Sequence, residues 1–353
     1  MPRPLTRRFA VLLSAALLLG AGAAAAAVER QPGAAHAFRL TADANAPLRA
    51  NRLAQVPITF RGGPITTATG ETVDVRVSDA LPVETSTPEA WAEFLTKLTH
   101  GPEITSLTTY IVSFDEVQQI CGSRALGCYG RDKMVAPGEV AADITAEEIV
   151  RHEYGHHIAA NRSNAPWAAV EWGPKRWASA ANVCARVSRR EAYPGDQGSN
   201  YARNPGEAWA EAYRLMDERK VGITTASWQI VAPSFLPNDE ALQAAELDVL
   251  QPWTAQRTTV STRVFGKRTA KVWWIPLAAQ LDGDLRISAT MPNGGTHEVA
   301  LVRADRRRVI ARAQWTGQRV KRLDGSICGQ RSLFVRVTQR GGLGRVRVSV
   351  TAP

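Results

Sequence analysis

"VRHEYGHHIA", residues 150–159, places three of the chain's six histidines within six positions. His152 and His156 stand four residues apart. On an α-helix that spacing stacks both imidazoles on one face, one turn apart. Glu153 follows His152 directly and points about 100° further round the helix. The flanking residues supply the helix that this geometry needs. Thr145 followed by Glu148 is a capping box, and the helical pattern runs from there to about Asn161.

H-E-x-x-H on a helix fits a zinc site in which the two histidines are ligands and the glutamate is the general base of a metallopeptidase. A catalytic zinc takes three protein ligands and keeps a fourth position for water, so one ligand is still needed. Glycine at 159 and histidine at 162 would supply it nearby, as in metzincins. The chain has Ala159 and Arg162 there, and no later histidine precedes His297. A carboxylate remains. "NPGEAWAEAYRLMDERK" (204–220) is a second helix, with Asn204 as its cap and Pro205 in its first position. Glu207 lies in the first turn and Glu211 one turn on, on the same face. Either can bind the ion while the other orients a ligand histidine. Asp196, in "YPGDQGSNY" (193–201), is a rival ligand. His157 points elsewhere on its helix and is expected to pack or to hydrogen-bond.

In "HEYGH" and "NPGEAWAEAYR" the chain resembles the gluzincin metallopeptidases, whose H-E-x-x-H is completed by a glutamate on a later helix in an E-x-x-x-D/E setting. The resemblance covers roughly residues 85 to 250. It implies an α+β zincin-like catalytic domain, a small twisted sheet carrying the active-site helices. It further implies one zinc ion per chain, with Glu207 as third ligand and Glu211 orienting a histidine. The implied reaction is hydrolysis of a peptide bond. Zinc acidifies a water and polarises the scissile carbonyl, and Glu153 carries the proton from that water to the leaving amine. The developing oxyanion needs one more donor. Tyr201 is the candidate, with Tyr193 and Arg203 as alternatives.

Outward from this centre, the chain divides. Residues 1–27 have a basic start, an apolar run and an A-x-A exit, and are expected to be a signal peptide cut after Ala27. Residues 28–84 form an N-terminal extension or pro-segment, with one strand marked by the alternation of Val73, Val75 and Val77. Residues 85–253 hold the catalytic part. Within it, "STPEAWAEFLTKLTHG" (86–101) reads as a helix capped by Thr87, "SLTTYIVSF" (106–114) as a strand, and "NDEALQAAELDVLQ" (238–251) as a helix. By the resemblance, "DKMVAPG" (132–138) is a strand at the cleft edge, where an extended substrate would pair with it. No segment after the signal is apolar for long enough to cross a bilayer. The protein is therefore expected to be secreted. In that setting four cysteines suggest two disulfides. The short loop "CGSRALGC" favours Cys121–Cys128 and leaves Cys184–Cys328. No C-x-x-C spacing occurs, which disfavours a thiolate zinc site.

Residues 254–353 change character. "RISAT", "EVALVRA", "RVIARAQW", "SLFVRVTQR" and "GRVRVSVT" alternate, separated by "LDGD", "PNGG", "LDGS" and "RGGLG", which suggests an all-β sandwich. "ICGQRSLFVRVTQRGGLGRVRVSV" is similar to the pre-peptidase C-terminal domains of secreted proteases. From residue 255 onward 16 Arg and 3 Lys face 5 acidic residues, a net +14, whereas residues 28–254 carry −7. Alternation sets these arginines on one solvated face of each sheet. Such a surface would attract an anionic cell-surface polymer; no specific nucleic-acid partner is expected. This part should be separable from catalysis unless its removal takes away the partner of Cys184. The leading expectation is a secreted zinc metallopeptidase acting on peptide or protein substrates. The alternatives are an exported β-sandwich binding protein with a degenerate zincin part, and a zinc amidase acting on cell-wall peptides.

Overall fold

The computed structural model describes residues 58–224, 229–313 and 319–353. All of them belong to one compact unit, Ala35–Pro353. The expected signal peptide, and residues 28–57 of the expected extension, lie outside the described residues.

The fold is mixed α+β. A five-stranded sheet has the order β1 (Phe60–Thr66), β2 (Thr72–Ser78), β3 (Thr108–Val112), β5 (Lys133–Pro137), β4 (Cys128–Gly130). β2, β3 and β5 run parallel, and β1 and β4 are antiparallel edges. Val73, Val75 and Val77 all point into the main core, as their alternation requires. Two strands of this sheet thus come from the stretch expected to be an extension or pro-segment. β5, expected at the cleft edge, is instead covered by β4 from Lys133 to Val135. The three residues Cys128–Gly130, which leave the disulfide loop at Cys128, suffice to form that edge, too short a run to show an alternation.

The helices are α1 (Pro88–Lys97), α2 (Phe114–Cys121), α3 (Ala146–Ala160), α4 (Ala169–Trp172), α5 (Lys175–Ala180), α6 (Val183–Ser188), α7 (Pro205–Lys220) and α8 (Asp239–Leu250), of which α1, α2 and α3 pack on the sheet. Thr87 caps α1, which stops at Lys97 rather than reaching Gly101. The capping box of Thr145 and Glu148 is formed in α3, with Asn161 at its C-terminus. α3 and α7 pack very closely. A Cβ on Gly155 would stand 2.9 Å from Ala210 Cα, and the indole N–H of Trp209 donates to Gly155 O at 2.7 Å. Two small residues at the crossing let the helix backbones approach closely.

α8 ends at Leu250 and β6 begins at Arg257, on either side of residue 254, where the change of character is expected. Two four-stranded antiparallel sheets come next, β10-β9-β12-β7 and β11-β8-β13-β6. Their members are β6 (Arg257–Phe265), β7 (Val272–Ala278), β8 (Gly283–Thr290), β9 (Thr296–Arg303), β10 (Val309–Arg312), β11 (Val320–Ile327), β12 (Ser332–Gly341) and β13 (Gly344–Ala352). One apolar core lies between them, with Leu285, Ile287, Val346 and Val348 from one sheet against Val299, Leu301, Val335 and Val337 from the other. This is sandwich packing. "LDGS", expected as a turn, lies inside β11 and pairs with β8.

Both expected disulfides are present, Cys121–Cys128 and Cys184–Cys328. The second ties the helical part to the sandwich. Beside it, Lys175 is fully buried; its Nζ donates to Ala165 O at 2.6 Å and to Asp282 O at 2.9 Å. Asp282 N donates to Ser179 Oγ, and the Arg331 guanidinium spans the Asp282 carboxylate and Ser179 O. Removal of the sandwich would therefore take away both the partner of Cys184 and a carbonyl that holds a buried ammonium. Ending the chain at Thr254 should cost about 2–5 kcal/mol for the disulfide alone, with more for the stranded Lys175. Thermal unfolding of the shortened and full chains checks this, and equal melting temperatures would contradict it.

Asp248 in α8 is also sensitive to pH: its carboxylate accepts the N–H groups of Arg176 and Trp177 at the start of α5. Burial pushes its pKa up to about 6. The folded chain then holds a proton that the unfolded chain releases near pH 3.9. Stability should fall by about 3 kcal/mol as pH rises from about 4 to about 6, and level off above. Denaturant unfolding of the native chain and of Asp248→Asn across that range isolates this contribution. A pH-independent difference between the two would remove it.

Candidate metal centre

The close crossing of α3 and α7 brings the sequence-selected residues together. His152, His156 and Glu207 each offer one ligand atom, and these atoms lie within 4.8 Å of one another. Glu207 Oε2 is 3.4 Å from Nε2 of both His152 and His156. The edge of a tetrahedron with zinc–ligand bonds of 2.0–2.1 Å is about 3.3–3.4 Å, so both measured edges match. Two neutral imidazoles and one carboxylate are also the donor types zinc takes. All three residues are buried. This buried group can hold a metal ion.

Electrostatics bind the group together. Burial opposes charge on His152, but Glu207 and Glu211 more than offset it and lift the imidazole to about 9. Burial likewise pushes Glu207 up, yet the two histidines pull it down to about 2. Burial lowers the pKa of His156. A cation entering the group must displace the proton shared by this buried pair, so its binding strengthens as pH rises.

Glu153 sits beside the group and outside it. It is fully buried, and neither carboxylate oxygen has a hydrogen-bond partner among the described residues. Burial pushes its carboxyl up to about 8. Such orphaned oxygens are costly unless function retains them, and a carboxyl poised near neutrality is suited to proton transfer. Gly127, in the Cys121–Cys128 loop, lies directly over it. A Cβ there would fall 2.8 Å from Glu153 Oε1, so a glycine lets the loop close on the carboxylate.

Glu211 stands where its helical spacing requires. Its Oε2 lies 3.7 Å from His152 Nδ1. Arg214 grips the same carboxylate through Nε and Nη2, and its Nη1 reaches Glu218 at 2.8 Å. The sequence reading misses this buried arginine, although its i+3 spacing from Glu211 is visible. It misses Gln197 as well. The Gln197 Nε2 donates to Glu207 Oε1 at 3.2 Å, from a loop with no local pattern to reveal it.

The Tyr201 hydroxyl is buried and donates to Glu207 Oε2 at 2.8 Å. It thus orients the third member of the group, and its single proton reaches another acceptor only by leaving Glu207. Of the alternatives, Tyr193 donates to Arg190 O, and Arg203 is exposed. The Asp196 carboxylate accepts from Gly198 N and Asn200 within its own loop, and the candidate metal group does not include it. His157 hydrogen-bonds, as expected. Its Nε2 donates to Glu103 O, which can only accept, and its Nδ1 lies 3.1 Å from the Tyr129 hydroxyl.

Among the described residues no helix is long and apolar enough to cross a membrane. The two disulfides are compatible with an extracellular protein. No protein-family model matches the chain, and no curated protein matches it. The crystal structure of the pre-peptidase C-terminal domain of collagenase from Bacillus anthracis is similar over 27% of this chain and 89% of its own, at 16% identity and a TM-score of 0.22. At that score the likeness adds nothing to the sandwich packing already described.

Proposed function

We propose that this chain is a secreted zinc-dependent peptidase with a zincin-like catalytic part. The observation that carries the reading is one juxtaposition: a histidine–histidine–glutamate group at zinc-ligand spacing, with the unbonded Glu153 carboxylate beside it. Zinc, when bound, supplies a Lewis acid that polarises a carbonyl and acidifies water. His152, His156 and Glu207 would hold it, and Tyr201, Gln197 and Glu211 fix their orientation. Glu153 takes a proton from the attacking water and returns it to the departing amine. Its burial keeps the proton affinity of that carboxyl high enough for both transfers. Gly127 keeps the wall over Glu153 free of a side chain.

The purified protein should contain about one zinc per chain by elemental analysis. It should cleave members of a mixed peptide library, lose that activity to a chelator and regain it on zinc addition. A fully zinc-loaded protein that cleaves no peptide in the library would reject the peptidase reading and leave a metal site of another use.

A further inference from the structure

The outer face of the β10-β9-β12-β7 sheet carries a continuous array of arginines that the catalytic reading does not use. On its central strand β9, Glu298 points outward, and its side chain is 8% exposed. Arg336 and Arg340 of β12 donate to its two oxygens at 2.9 and 3.0 Å, and Arg312 of β10 stands 3.3 Å away. Next along the face, the Arg336 guanidinium lies over Trp274 of β7, 5.8 Å from the ring centre. Arg306, in the β9–β10 turn, covers both Trp274 and Phe334, at 5.4 and 4.5 Å. Four guanidinium groups against one carboxylate leave a net +3 on one rigid sheet face.

We propose that this face binds an anionic polysaccharide whose sugars bear carboxylates. Stacking on an aromatic ring uses the flat side of a guanidinium and leaves its N–H edge free for a planar oxyanion. Glu298 already illustrates the fit: this set of arginines closes on a carboxylate from three sides. The N–H edges of the exposed Arg306, Arg312 and Arg340 and the surplus charge are available to carboxylates from outside, spread along the sheet. A nucleic acid fits less well. Single-stranded binders need open rings on which bases stack, and here guanidinium groups lie over both Trp274 and Phe334. The proposal is independent of the metal centre.

The comparison is built into the fold. The outer face of the other sheet also carries arginines, among them the exposed Arg322 and Arg347, but no aromatic residue among the described residues of its strands. A labelled oligogalacturonate is titrated into the full protein by fluorescence polarisation at low salt and at 1 M salt, with neutral dextran and a single-stranded oligonucleotide alongside. Oligogalacturonate should bind at low salt and be released at high salt, where the Debye length shrinks to about 3 Å. Arg336→Gln and, in the exposed turn where folding is not at risk, Arg306→Gln should each weaken binding about tenfold. The Arg322→Gln/Arg347→Gln pair should change it less than about twofold. Equal losses on the two faces would overturn the proposal and leave unspecific charge. Tighter binding of the oligonucleotide, or no oligogalacturonate binding at low salt, would overturn it too.

Discussion

Glu153→Gln should lower kcat/KM for a cleaved peptide by about 10²–10⁴-fold, the usual worth of a positioned general base, while zinc content stays unchanged. The amide keeps the shape that fits beneath Gly127, where a larger group has no room. It cannot take a proton at neutral pH. Because Glu153 lies outside the ligand group, nothing that holds the metal is lost. Elemental analysis beside a peptide assay reads both halves. Turnover within about tenfold of the native protein would refute the assignment.

Glu207→Ala and Glu211→Ala should separate two kinds of loss. The first removes a member of the metal group and should weaken zinc binding by more than about 100-fold. The second removes a group that orients His152, an effect typically worth about 10–100-fold. Glu211→Ala carries a further cost. Arg214, fully buried, would lose the closest of the carboxylates paired with it, which include Glu148, Glu211 and Glu218, and breaking a buried ion pair from one side costs about 3–5 kcal/mol. The expected pattern is a larger affinity loss for Glu207→Ala and a larger drop in melting temperature for Glu211→Ala. If the Glu211 change empties the site and the Glu207 change does not, the roles are exchanged. If neither alters affinity, Asp196 becomes the ligand to test.

The site is legible in the sequence wherever helical spacing carries the information. His152, Glu153 and His156 are local, and their helix announces itself through Thr145 and Glu148. The residues that hold Glu207 in place are less visible. Gln197 and the Tyr201 hydroxyl act from a loop and a single 3₁₀ turn, where no periodicity ties position to direction. In the sandwich, the strands that escape notice each break alternation for a physical reason. β6 is an edge strand with almost no buried residue. β7 is apolar on both faces because Trp274 packs outward beneath arginines, and Pro276 is tolerated only at a sheet edge. β11 turns Lys321 and Gly325 to the side where Leu323 and Ile327 are buried, so a glycine–aspartate pair inside a strand imitates a turn.

The bond between Cys184 and Cys328 spans 144 residues of chain, and Lys175 waits for a carbonyl contributed by Asp282. Synthesis runs in the other direction, and parts made first ordinarily fold first. Here the helices that carry Lys175 and Cys184 gain their last partners only once strands near the carboxyl end have been made. A chain threaded from its amino end through a membrane would stay unfinished until almost all of it had crossed. Any chemistry of the metal group would then begin only on the far side of that membrane.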